Sequence, residues 1–212
     1  TYRPCFDAWL TLARSTNPRE QLMALSTARA ASTSLFAALG HTPDHDEAIL
    51  RELVSELRLI ATSTNAQNAG LAARLITKYA PRTQTTFDEL LAHARAAGWA
   101  SDEYAAAILE FSFVYEEDGP ARTEWSYPIL LALIEGVGAS DVTASEVGDW
   151  PGYAFSFEDL TPAETERVLA ELHAILEPDS DASEQARKTA RWMLSCQASS
   201  SESNEAELPE PD

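Results

Sequence analysis

Apolar residues recur at spacings of three and four along most of this chain, the period that lines one face of an α-helix. Phe6, Trp9, Leu10 and Ala13 make the first such stripe. Asn17-Pro18-Arg19-Glu20 then supplies an N-cap, a proline at the first helical position and an acid at the third, opening a helix expected to run to Leu39 and stop at Gly40. Thr42-Pro43 repeats the start signal. Ile49, Leu50, Leu53, Val54, Leu57 and Ile60 form the next stripe, with Glu52, Glu56, Arg51 and Arg58 off it and expected to face water. Leu71, Leu75, Ile76 and Tyr79 predict a fourth helix ending before Pro81.

Thr86-Phe87-Asp88-Glu89 reads as a capping box for a helix ended by Gly98. Ser101 caps the next, with Tyr104, Ile108, Phe111 and Tyr115 on one face, stopped by Glu116-Glu117-Asp118-Gly119-Pro120. Pro128 to Glu135 predicts a short buried helix ended by Gly136. Gly148-Asp149-Trp150-Pro151-Gly152 is turn chemistry. Tyr153, Phe155 and Phe157 then alternate with small residues as in a short strand. One strand without a partner is marginal, so an ordered aromatic loop is expected near 150–158. Thr161-Pro162-Ala163-Glu164 combines a capping box with a proline at N1, and its helix carries Val168, Leu169, Leu172, Ile175 and Leu176 up to Pro178. A last helix is expected from about Asp181 to Cys196. Serine, glutamate and proline dominate from Gln197 onward, a composition too polar to offset its ordering entropy, so residues 197–212 are expected to be a disordered acidic tail. The fold class is therefore all-α: an irregular multi-helix bundle of about 8–10 helices, with residues 1–196 as a single helical domain. Thirty-six alanines in 212 residues fit that reading.

Charge changes the picture. Residues 1–82 hold 7 Asp/Glu against 9 Lys/Arg, whereas residues 83–212 hold 27 against 6. Adaptation to salt would acidify both parts, so a one-sided excess points to a surface made to meet something positive. Residues 83–160 also carry 12 of the 18 aromatics. Carboxylates steer an encounter and aromatics anchor it. Two groups stand out as a binding face: Glu116, Glu117, Asp118, Glu124, Trp125 and Tyr127, and Asp149, Trp150, Tyr153, Phe155, Glu158 and Asp159. A strongly negative chain lacks the basic footprint for direct nucleic-acid binding and is repelled by anionic membrane surfaces. No apolar run reaches the ~20 residues that span a bilayer. The start, Thr1-Tyr2-Arg3-Pro4, lacks a secretory leader's apolar stretch, and its small first residue fits an end from which methionine was trimmed, so a cytoplasmic location is expected.

Candidate chemistry is thin. His41, Asp44, His45, Asp46 and Glu47 crowd a loop and first helical turn, but lack the i, i+4 histidine pair that puts two imidazoles on one face. Glu89 with His93, and Glu171 with His173, read as surface pairs without a nucleophile. Cys5 and Cys196 form no disulfide framework. No phosphate loop, Cys-x-x-Cys or nucleophile elbow occurs, so neither metal nor cofactor is expected, nor an enzyme. The expected function is a protein-binding module or inhibitor whose acidic-aromatic face covers a basic protein, such as a nuclease-type toxin. Two other classes stand behind it: a helical scaffold or regulatory subunit, and an enzyme with an aromatic-lined carboxylate pocket. Partner identity and oligomeric state are not encoded in these patterns.

Overall fold

The computed structural model describes residues 3–30, 46–111, 115, 116, 119, 120, 125–150, 157 and 160–205. It is an all-α protein with ten helices among the described residues. They fall into two compact units, Thr1–Ala97 and Gly98–Asp212.

The first unit contains α1 (Arg3–Ala13), α2 (Pro18–Ala30), α3 (Asp46–Ala61), α4 (Ala66–Tyr79) and α5 (Gln84–Ala96). Helix α4 is its centre, packed against α2, α3 and α5. It buries Asn68, Ala69, Gly70, Leu71, Ala72, Ala73, Leu75, Ile76 and Thr77, nearly its whole circumference, and its small residues let neighbouring backbones approach. Asn68 is tolerated there because its amide donates to Pro18 O at 3.0 Å and Gln21 Oε1 at 2.9 Å. Burial pushes the Tyr79 phenol up to about 12, so it stays a neutral donor to Ala28 O.

The stripe Phe6, Trp9, Leu10 and Ala13 is buried as its spacing requires. Two expectations need correction. Glu56 does not face water: it is 5% exposed, because α1 packs against α3 and brings Arg14 Nε within 2.8 Å of its carboxylate. The cap of α5 is Thr83, not Thr86. Thr83 Oγ1 accepts from Thr86 N, Thr86 Oγ1 donates to Pro81 O, and Glu89 accepts twice from Arg58 Nε, at 2.8 and 3.0 Å. The chain uses the earlier threonine, which frees Glu89 to tie α5 to α3. The His41–His45 cluster and the expected helix start at Thr42-Pro43 lie outside the described residues.

The second unit contains α6 (Asp102–Glu110), a two-residue antiparallel pair (Tyr115–Glu116 with Gly119–Pro120), α7 (Ser126–Ala139), α8 (Asp141–Gly148), α9 (Pro162–Leu176) and α10 (Glu184–Glu205). Helix α7 is its centre, apolar on nearly every side and packed against α6, α8, α9 and α10. Ser101 caps α6 by accepting from Glu103 N. That helix ends at Glu110, so Tyr115 is not its last apolar position but pairs with Pro120.

Gly136 does not end α7; it lies inside the helix, and a Cβ there would sit 2.7 Å from Trp99 Cε3. Helix α8 was not anticipated. Its inward stripe is only Thr143, Ala144 and Val147, and Thr143 is accommodated by donating to Trp99 O at 3.0 Å. Trp99 itself follows Gly98 with φ of +56°, the second of two consecutive left-handed residues. That conformation costs a non-glycine residue roughly 1–2 kcal/mol, which the buried indole and the Thr143 tie offset.

Candidate protein-docking surface

The charge contrast seen along the sequence persists, slightly reduced, between the two units. Residues 1–97 carry 10 Lys/Arg against 9 Asp/Glu, and residues 98–212 carry 5 against 25, balances of +1 and −20 that recover the total of −19. In the first unit acids meet bases. Arg3 bridges Asp7 and Glu52, Arg14 holds Glu56, Arg51 approaches Glu47, and Arg58 holds Glu89.

In the second unit the acids gather at helix ends. Asp141 opens α8, Glu177 follows α9, Asp179 and Asp181 lie in the turn to α10, and Glu184 begins α10. Ser183 ties Asp141 to the start of α10: its hydroxyl caps that helix by accepting from Ala186 N and donates to Asp141 Oδ1. Glu177, Asp179 and Asp181 are exposed, and so is Val142 beside Asp141, at 46%. The nearby guanidinium of Arg187 does not neutralise them. Its donors go to Ser180 O at 2.9 Å and Ala182 O at 3.2 Å. Among the described residues, only Glu184 of these five has a basic side chain within ion-pair distance, Arg191 at 3.3 Å, with both groups mostly in water. The dipole at a helix N-terminus accounts for Asp141 and Glu184, but Glu177 sits at a C-terminus where the dipole opposes it. Sequence reasoning missed the tie of Asp141 to the start of α10 because Ser183 lies 42 residues away and α8 was not foreseen.

The expected acidic-aromatic residues are placed unevenly. Trp125 is 8% exposed and packs edge-on against Phe111, with ring centroids 4.9 Å apart, so it plugs the core rather than standing out as an anchor. Tyr127 is half-buried in the first turn of α7. Asp149 is exposed at the C-cap of α8, and Trp150 is half-buried beside it, its indole donating to Glu146 Oε1 at 3.0 Å. Glu116 stands opposite Gly119 in the short antiparallel pair. Glu117, Asp118, Glu124, Tyr153, Phe155, Glu158 and Asp159 lie outside the described residues, whereas Phe157 is buried.

Helix α9 offers a different kind of surface. Its outward residues Pro162, Thr165, Glu166, Leu169, Ala170 and His173, with Leu160, line a shallow open groove of about 630 Å³. Among the described residues, no group of three or more His, Cys, Asp or Glu is arranged to hold a metal ion. No helix among the described residues is long and apolar enough to cross a membrane. Set against known protein families, curated proteins and solved structures, the chain matches none.

Proposed function

We propose that this chain is a protein-binding module whose acidic C-terminal unit docks onto a basic protein, such as a nuclease-type toxin or another nucleic-acid-binding protein, and masks its positive surface. One observation carries the reading: the charge partition follows the structural division, with the first unit near neutrality and the second at −20. Solubility alone needs no such segregation. Acids concentrated on one unit create a field that steers a cationic partner and raises its association rate. The helix-end acids Asp141, Glu177, Asp179 and Asp181 fit that role, since no basic side chain lies within ion-pair distance of these carboxylates among the described residues.

The test is affinity capture with the full chain at low ionic strength, run beside a variant carrying Glu177→Gln, Asp179→Asn and Asp181→Asn. These positions are exposed, so the fold is spared. The expected result is a basic protein retained by the native chain, released between about 0.1 and 0.5 M salt, and held markedly less well by the variant. A partner that stays bound through high salt and ignores the substitutions would overturn the reading.

A further inference from the structure

We propose that the outer face of α9 is the groove into which that partner lays a basic amphipathic helix, an inference that rests on the docking role of the acidic unit. Helix α9 carries two apolar stripes rather than one. Val168, Leu172 and Ile175 point inward and are buried, as expected of a helix packed on α7 and α10. The second stripe points outward: Pro162 and Ala170 are exposed, and Leu160 and Leu169 are only half-buried. An amphipathic helix with one neighbour-facing stripe would carry polar residues at these positions, so the second stripe is suited to a second neighbour.

The chemistry around the groove selects its occupant. Glu166 is its one carboxylate, exposed and without a basic partner among the described residues. The adjacent Arg167 does not fill the space, because it is held 2.5 Å from Glu171. A largely apolar trough lined by an exposed carboxylate, within a unit of net charge −20, is complementary to apolar anchors flanked by Lys or Arg. A second copy of the chain would bring like charge instead. From Pro162 to His173 the stripe extends about 16 Å at 1.5 Å per residue, or three turns. That is the reach of helix-in-groove recognition through anchors at i, i+4 and i+7.

The probe is a synthetic peptide of lysine and leucine with leucines at i, i+4, i+7 and i+11, with a scrambled peptide of the same composition as control. Each is titrated into the full ¹⁵N-labelled chain while amide signals are followed. The patterned peptide should shift the signals of Leu160 and of residues 165–173, and bind about tenfold more tightly than the scrambled one. Ala170→Arg, at an exposed position, should remove that tenfold advantage without unfolding the protein. If both peptides bind alike, or shift only residues 177–184, the groove is not the dock while the acidic unit still binds cations. If neither binds at low salt, the docking role itself fails and takes the groove with it. Groove signals that move with protein concentration alone would identify a second copy as occupant and overturn the proposal.

Discussion

At the scale of single residues, the second unit is organised around Trp99. Its ring lies against a glycine of α7 and its backbone carbonyl accepts from Thr143 of α8, so one residue, through ring and backbone, ties two helices. Two glycines in α7 therefore respond oppositely to the same substitution. Gly136→Ala improves helix propensity, but its methyl would sit 2.7 Å from Trp99 Cε3 and 2.9 Å from Thr143 Cγ2. Neither a buried ring nor a tied threonine yields easily, so overpacking wins and the protein should lose about 1–3 kcal/mol in urea unfolding. Gly138→Ala meets nothing nearer than Ile175 at 3.7 Å and should gain about 0.4–1 kcal/mol from the reduced freedom of the unfolded chain. An unchanged or raised stability for Gly136→Ala would mean that Trp99 is not seated against that helix. Nothing in the local pattern announces this contact, since a glycine after an apolar run reads first as a helix stop.

Individual elements were legible where their signals are local. Thr161-Pro162-Ala163-Glu164 is the clearest case: Thr161 Oγ1 accepts from Glu164 N, while Glu164 Oε2 accepts from Thr161 N at 2.8 Å. Thr161→Ala should cost about 0.5–2 kcal/mol, and Thr161→Ser should restore most of it, as followed by urea unfolding. Equal stability of all three proteins would show that tertiary packing alone fixes the start of α9. The stripes of α1, α3 and α4 were legible for the same reason. Helix α8 was not: it is held by a threonine bonded to a tryptophan carbonyl 44 residues away, a link that periodicity cannot carry. The outward stripe of α9 went unread because Leu169 and Ala170 flank the inward residues and merge with them in sequence. The candidate surface was legible as composition but not as anchors. Acid marks a face from sequence alone, whereas an aromatic such as Trp125 declares itself as core or anchor only through what packs against it.

For the whole molecule, the proposed docking role predicts that stability and binding should respond to salt with opposite signs. Net charge far from zero destabilises a compact state through self-repulsion. Raising ionic strength from 0.01 to 0.15 M shortens the screening length from about 30 to about 8 Å, relieving repulsion among acids clustered on one unit. Four of the five tryptophans, Trp99, Trp125, Trp150 and Trp192, belong to that unit, so indole fluorescence reports mainly on it. The fluorescence midpoint of thermal unfolding should therefore rise with sodium chloride over this range, by about 4 °C for each kcal/mol of relieved repulsion. The Asp179→Asn, Asp181→Asn variant should start higher and rise less. Affinity for a cationic partner should fall over the same interval, because the same screening removes the attraction. A midpoint indifferent to salt would mean that the acids are already compensated within the chain, leaving no uncancelled field to steer a partner. A rising midpoint with weakening capture would tie both effects to one cause, the segregation of acid onto the second unit.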